Sequence, residues 1–334
     1  MLNAPKYSLI IPLFNRPDEI KELLDSLVAL QKSFVFETII VEDGSTIPSK
    51  EIVLAYQNKL NLYYYDKPNS GPGLSRNFGA EHALGEYVIF LDSDVILPSD
   101  YLTEIDKHLE KEPLDAFGGP DKAHSSFTPI QKAINYSMTS VFTTGGIRNK
   151  KTGFEKFHPR SFNMGIKKNA FDTLNGFSDL RFGEDIDFSI RLIKADYKTG
   201  LIENAYVFHK RRTGFFKFFK QVFNSGIARI TLFKRYPNSL KLVHFLPAVF
   251  TISLALGLIL GAFFSWIWAL ISVFSLLILI DATRKEKSFF IGLLSIISSH
   301  VQLIGYGTGF IISFWKNIIL KKKYTQAFTK KFYD

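Results

Sequence analysis

The sequence predicts an α/β domain with a mixed, mostly parallel sheet flanked by helices, followed by apolar helices. Three observations predict it. Strand-like and helix-like segments alternate through the first hundred residues. Acidic and polar residues recur where the strand-like runs stop. From Leu242 to Ile280 no Lys, Arg, Asp or Glu occurs in 39 residues.

The elements follow in order. YSLIIPL (Tyr7–Leu13) reads as a buried strand. RPDEIKELLDSLVAL has Pro17 near a helix start and apolar residues at helical spacing. FETIIVEDGS is a second strand, IPSKEIVLAYQNK a second helix and NLYYYD a third strand. GPGLSRNFGAEHAL is a loop entering a helix, and EYVIFLDSD is a fourth strand. In such sheets ligands bind beyond the carboxyl ends of the strands. Those ends carry Asn15 and Arg16, Glu42 and Asp43, and Asp92 and Asp94.

Asp92-Ser93-Asp94 places two carboxylates one residue apart. In an extended segment residues i and i+2 face the same way. The two carboxylates therefore converge on one cation if strand geometry continues past Leu91. Hard divalent ions such as Mg²⁺ and Mn²⁺ take carboxylate and phosphate oxygens. A solvated turn is the plain alternative for an isolated Asp-x-Asp. A second acidic group, Glu184, Asp185 and Asp187 in FGEDIDFSIRL, sits where a helix begins. A helix N-terminus stabilises a carboxylate, which suits either a cap or a general base.

Residues 1–210 hold 24 Lys/Arg and 28 Asp/Glu, whereas residues 211–334 hold 17 and 3. The basic part is also the apolar part, which points to an anionic membrane and not to nucleic acid. There is no cysteine, so disulfide and thiolate chemistry are excluded. The opening MLNAPKYSLII has no long apolar run before a cleavage site, so no signal peptide is expected. The run 242–280 is long enough for two helices, with a turn at Gly261–Trp266 and Trp266 and Trp268 at the membrane–water interface. Ser288–Trp315 is a further apolar run, expected to be membrane-embedded without simply crossing, because a crossing would carry the lysine-rich tail outward. A soluble helix hairpin is the rival reading. Just before the spans, Phe216, Phe219, Phe223, Ile227 and Ile230 follow helical spacing among Lys217, Lys220 and Arg229, as in a helix lying among lipid headgroups. The expected organisation is a catalytic domain at 1–212, an interfacial helix region at 213–240, a membrane domain at 241–316 and a basic tail at 317–334.

The sequence resembles the family 2 glycosyltransferases with the GT-A fold. The resemblance rests on SLIIPLFNRP, VEDGST, NSGPGLSRNFGAEHALGEYVIFLDSDVILP, SFNMGIKKNAFDTLNGFSDLRFGEDIDFSIRLIKADY and VFHKRRT, over roughly residues 5–215. The membrane-bound tail resembles bacterial exopolysaccharide enzymes of the succinoglycan type. The resemblance implies a nucleotide-sugar donor, probed first as a UDP-sugar, and Mn²⁺ or Mg²⁺. Pro12, Phe14, Asn15 and Asp43 would hold the base and ribose. Glu42-Asp43 stands where relatives have Asp-Asp, which leaves Glu42 less defined. Arg76 would approach the diphosphate. Asp94 would ligate the metal, Asp92 would sit nearer the ribose, and Ser93 would lie beside them on the donor side. His209 would complete the metal site, a packed strand histidine being its alternative. Arg212, with Arg211, would neutralise diphosphate or touch lipid phosphate. Asp185 would be the general base, with Glu184 as its neighbour or substitute.

The implied acceptor is a lipid-linked saccharide, reached from the cytoplasmic face of a bacterial inner membrane. The Gln-x-x-Arg-Trp motif of processive synthases is absent, since no Trp precedes Trp266. One sugar per encounter is therefore expected. A polyprenyl-phosphate glycosyltransferase and a catalytically inactive membrane scaffold are the rival functions. A sugar nucleotidyltransferase would need a Gly-rich loop after the first strand, and PLFNRPDE is not one. Ala123–Arg160 reads as a polar loop or lid on the acceptor side.

Overall fold

A computed structural model of the chain describes residues 5–31, 34–145, 157–260 and 266–322. In chain order the elements are β1 (Tyr7–Leu13), α1 (Pro17–Gln31), β2 (Phe36–Asp43), α2 (Lys50–Leu54), β3 (Leu62–Lys67), α3 (Pro72–Glu81), β4 (Tyr87–Leu91), β5 (Val95–Ile96) and α4 (Tyr101–Lys111). There follow β6 (Ala116–Gly118), β7 (Asp121–Lys122), α5 (Pro129–Thr139), α6 (Val141–Thr144), β8 (Asn163–Lys167), α7 (Lys168–Thr173), α8 (Glu184–Lys194), β9 (Thr199–Leu201) and β10 (Val207–His209). The chain continues through α9 (Phe215–Arg235), α10 (Leu246–Leu260), α11 (Trp266–Glu286) and α12 (Phe289–Phe314). They form two compact units, one of residues 1–124 and 154–210 and one of residues 125–153 and 211–334.

The first unit is built on a seven-stranded sheet in the order β3-β2-β1-β4-β8-β6-β9. β1 pairs in parallel with β2 and β4, and β2 with β3. β8 lies antiparallel to both β4 and β6, so the sheet is mixed but mostly parallel. The central strands are buried on both faces, which explains their unbroken apolar runs. Ile11, Leu27, Tyr101 and Phe117 belong to a core on one side, and Ile10, Phe90, Phe171 and Phe188 to a core on the other. α3 approaches the sheet closely through Gly79, where a Cβ would lie 2.5 Å from Ile10 Cγ2. A second, small sheet, β5-β10-β7, joins the end of the β4 segment to the last strand of the unit.

The second unit is helical. α12 packs along α9 through glycines: a Cβ at Gly226 would lie 2.2 Å from the Tyr306 carbonyl oxygen, and one at Gly309 2.1 Å from that of Phe223. Gly307 of α12 faces α10, where a Cβ would meet the Pro247 carbonyl oxygen at 2.3 Å. The Gly305–Gly309 cluster thus brings backbones together on two sides of one helix. α12 runs unbroken through it for 26 residues, so the expected segment that does not simply cross contains no re-entrant break. Among the described residues, two helical stretches, Leu242–Leu260 and Phe289–Ile319, are long and apolar enough to cross a membrane. The Gly261–Trp266 turn expected from sequence lies outside the described residues except for Trp266, which opens α11.

The stretch 123–160, read as a polar loop or lid, contains two helices. Thr128 and Gln131 form a capping box at the start of α5. Gln131, Asn135 and Ser137 of α5 are buried. Ser298 of α12 donates to the Ala133 carbonyl at 2.7 Å, and Tyr136 donates to Asp281 of α11 at 2.7 Å. Within the segment, Gln131 and Asn135 bond to Arg211, and Ser137 bonds back to the Ile134 carbonyl of its own helix. Residues 146–156 of it lie outside the described part.

Candidate active site

The site is built at the carboxyl ends of β1 and β4. β4 stops at Leu91, and Asp92-Ser93-Asp94 forms a turn into β5. The pleated convergence expected of Asp92 and Asp94 is therefore replaced by a turn. What aligns the carboxylates is the small sheet. β10 pairs antiparallel with β5, setting His209 opposite Val95, and the Lys210 amide donates to the Asp94 carbonyl at 2.9 Å. His209 Nε2 then lies 3.1 Å from Asp94 Oδ1 and 3.8 Å from Asp92 Oδ2. The ring of Phe162 stacks on the imidazole at 5.1 Å.

The other oxygen of each carboxylate is held by an arginine. Arg16 donates to Asp94 Oδ2 at 2.6 Å, and Arg76 donates to Asp92 Oδ1 at 2.6 Å. Arg76 is buried on α3 and its second nitrogen donates to Glu184 Oε1 at 3.0 Å. One guanidinium thus ties the β4 end to the start of α8. Asp185, next along α8, accepts from the Ile186 amide at 2.8 Å and from Arg160 Nε at 2.6 Å. Asp187 faces away and pairs with Arg191, which also holds the Leu174 and Gly176 carbonyls.

The two acids at the α8 start are tuned apart. Burial, and then the Asp185 charge, push the Glu184 carboxyl up to about 7 against the pull of Arg76. Burial also opposes ionisation of Asp185, but the charge and hydrogen bond of Arg160, with the Ile186 amide, hold its carboxyl below the ordinary range.

Asp92, Asp94 and His209 present one ligand atom each, all within 4.8 Å of one another. Two carboxylate oxygens and an imidazole nitrogen at this spacing fit a divalent cation, and the nitrogen suits Mn²⁺ better than Mg²⁺.

The remaining expected donor residues lie around the first two strand ends. Pro12 is within β1, opposite Val41, and Phe14 follows the strand. Asn15 adopts φ 51, and its Oδ1 accepts the Thr46 and Ile47 amides at 2.8 and 3.0 Å. Asp43 accepts the Ser70 and Gly71 amides at 2.9 and 2.8 Å and Lys67 Nζ at 2.7 Å. Those donors outweigh the cost of burying its charge and lower its pKa. Glu42 is turned into the loop that follows, where it accepts the Ser49 amide at 2.9 Å and the Tyr64 hydroxyl at 3.2 Å. Ser93 is buried within the acidic turn. Arg212 belongs to the second unit, as does Arg211, whose buried guanidinium donates to Asn135 of α5 at 3.1 and 3.0 Å.

Sequence reasoning missed three cations. Arg160 ends the stretch read as an acceptor-side loop or lid, and no spacing links it to Asp185. Arg16 was placed at a strand end without a partner. Lys67 closes β3, where a lysine after Asp66 carries no signal.

Residues 8–174 match the family described as Glycosyl transferase family 2. The chain belongs to that family. Among curated proteins it is 38% identical over 168 residues to the poly(ribitol-phosphate) beta-N-acetylglucosaminyltransferase TarS of Staphylococcus aureus, covering 45% of this chain and 29% of that one. It is 28% identical over 175 residues to the dolichyl-phosphate beta-glucosyltransferase ALG5A of Trichomonas vaginalis, covering 47% and 54%. The chain spans 24% to 29% of the length of the first curated relatives it matches. Among solved structures, the mannosyltransferase PcManGT of Pyrobaculum calidifontis, in complex with GDP-Man and Mn²⁺, superposes with a TM-score of 0.63 at 16% identity, covering 90% of this chain and 88% of that one. That likeness concerns the fold, which is GT-A.

Proposed function

We propose that this member of the family is an inverting, metal-dependent transferase. It moves a sugar from a nucleoside-diphosphate sugar, first of all a UDP-sugar, to a lipid-linked saccharide at the cytoplasmic face of a bacterial inner membrane. One observation carries the reading. The ligand atoms of Asp92, Asp94 and His209 converge at the end of β4, and Arg76 joins that cluster to the acidic start of α8.

Asp92, Asp94 and His209 would hold the Mn²⁺ or Mg²⁺. Bound there, the ion would supply positive charge to the diphosphate of the donor as the sugar–phosphate bond breaks. Pro12, Phe14, Asn15, Asp43 and Ser93 would line the nucleoside side, and Arg76 would add charge towards the diphosphate. Arg212 would serve the diphosphate or a lipid phosphate. The leaving group gathers negative charge while the sugar becomes oxocarbenium-like. Preorganised cations stabilise that charge where it develops. Asp185, ionised at neutral pH, accepts the proton of the attacking acceptor hydroxyl. One displacement inverts the anomeric centre.

The acceptor reading rests on the second unit. Its two membrane-length stretches, Leu242–Leu260 and Phe289–Ile319, are strongly apolar, and only a minority of the residues in their most apolar parts are buried within the protein. Leu258 and Ile259 are 68% and 70% exposed, a costly arrangement in water. The 17 basic against 3 acidic residues of 211–334 favour anionic lipid alongside.

The test is nucleotide release by the full chain in detergent with Mn²⁺, across UDP- and GDP-sugars and native lipid extract. Lipid-dependent release of one nucleotide, abolished by EDTA, supports the reading. EDTA-resistant release contradicts its metal dependence. The similarity to a dolichyl-phosphate beta-glucosyltransferase favours a second reading, transfer to a bare polyprenyl phosphate. A phosphate oxygen is already ionised and needs no base. Asp185→Asn would then spare transfer.

A further inference from the structure

We propose that Arg160 is a latch on Asp185, released by an anionic group, a phosphate or diphosphate, that the acceptor carries within one sugar ring of its reacting hydroxyl. The inference rests on the reading of Asp185 as the base that deprotonates the acceptor.

Both oxygens of Asp185 are engaged. Oδ1 holds the Ile186 amide at 2.8 Å and Oδ2 holds Arg160 Nε at 2.6 Å. An oxygen holding a guanidinium is a poorer proton acceptor than one that is not. The amide belongs to the α8 backbone and stays where it is. Arg160 is the partner that can leave. Its side chain is 40% exposed, against 11% for Asp185 and 4% for Arg76, which is fixed between Asp92 and Glu184. The backbone beneath the latch is anchored. The Arg160 carbonyl accepts the Asn163 amide at 3.0 Å, and Asn163 is tied in turn to Tyr101 and the Ala205 carbonyl. The moving part is therefore the side chain alone.

The chemistry of release follows from the guanidinium. A charge-assisted pair at 2.6 Å does not give way to a neutral sugar hydroxyl. A phosphate does replace it, because it offers oxygens in the geometry that the planar fork matches and carries comparable charge. An arginine held on Asp185 can reach only an anion close to the attacking hydroxyl. The substrate class is accordingly a short glycosyl phosphate or diphosphate on a lipid, not the neutral end of a long glycan. Without acceptor the latch stays shut, and water entering beside the donor meets a weakened base. With Arg160 removed, Asp185 takes a proton from water, the oxygen attacks the anomeric carbon, and the nucleoside diphosphate leaves.

The test compares the full-length wild type, Arg160→Gln and Arg160→Lys in detergent with Mn²⁺ and whichever of UDP-glucose, UDP-N-acetylglucosamine and GDP-mannose the wild type uses. Two rates are read, nucleotide release without acceptor and sugar transfer to two probes. One probe is a lipid-tailed N-acetylglucosaminyl diphosphate and the other is the neutral octyl N-acetylglucosaminide. The wild type should favour the charged probe through KM. R160Q should release nucleotide without acceptor about tenfold faster and lose about tenfold of its preference for the charged probe. R160K, which keeps the charge, should hold acceptor-free release near the wild-type rate, with donor affinity by calorimetry showing all three folded. A wild type that treats the probes alike overturns the proposal. So does an R160Q variant with wild-type release and preference, or an R160K variant that behaves like R160Q. Absence of nucleotide release or donor binding by any variant instead defeats the transferase reading, a separate result.

Discussion

Asp94 stands between an arginine at 2.6 Å and the imidazole of His209 at 3.1 Å, and of the two side chains only an imidazole nitrogen can ligate a metal. His209→Ala is accordingly expected to weaken Mn²⁺-dependent donor binding by about tenfold or more while leaving the melting temperature close to wild type. Metal titration followed by calorimetry checks this. Equal Mn²⁺ requirements in the two proteins would remove His209 from the site. Glu184 gives a pH prediction. Its carboxyl is raised to about 7 in the folded protein from a model-peptide value of 4.5. Between those values the folded state keeps a proton that the unfolded state has released, so stability falls as pH rises through the window. Glu184→Gln cannot ionise. Its apparent melting temperature should decline less than that of wild type from pH 4.5 to 8, and parallel declines would refute the buried, raised carboxyl. The acids were readable in the sequence because strand ends and a helix start mark them. Their pairing with arginines was not, because Arg16, Arg76 and Arg160 reach them across 78, 108 and 25 residues of chain.

At the scale of elements, the first unit is the readable one. Buried parallel strands leave unbroken apolar runs, and β1 to β4, α1 and α3 appear where those runs place them, while the second helix expected over residues 47–59 shortens to α2, Lys50–Leu54. The geometry of Asp92 and Asp94 was not readable. It depends on a three-residue strand, β10, pairing with a two-residue strand, β5, and neither is long enough to show a period. α5 was hidden for the opposite reason. Its Gln131 and Asn135 look like solvent-facing residues but bond to Arg211 inside the helical unit, and the buried Ser137 bonds back to its own helix. Close packing supplies the test at this scale. Gly226→Val must push α9 from the Tyr306 carbonyl, and Gly79→Ala must move α3 or Ile10. Each should cost about 1–3 kcal/mol. Differential scanning fluorimetry of the purified variants reads this, and unchanged transitions would mean that the helices do not approach as closely as described.

The whole molecule divides its charge as it divides its structure. The unit with the acidic site has few cations to spare, whereas the helical unit is basic and exposes apolar faces. The chain should therefore sediment with membranes and stay there through a high-salt wash and alkaline carbonate. Release by salt alone would indicate an electrostatic surface attachment and contradict embedded helices. The length and apolar composition of those helices were plain in the sequence. The continuous course of α12 was not, since the lysine-rich tail argued against a simple crossing and only the packing of helices against Gly305–Gly309 accounts for its glycines. The proposal to test lies in the first unit, with Asp92, Asp94 and His209 as the metal-and-donor group and Asp185 as the base. Calorimetry of nucleotide-sugar binding with Mn²⁺, run on wild type, Asp94→Ala and Asp185→Asn, tests it most directly. The account predicts binding by wild type and Asp185→Asn and its loss in Asp94→Ala, with turnover of Asp185→Asn down by about 10²–10⁴-fold. Donor binding by Asp94→Ala at wild-type strength would contradict it.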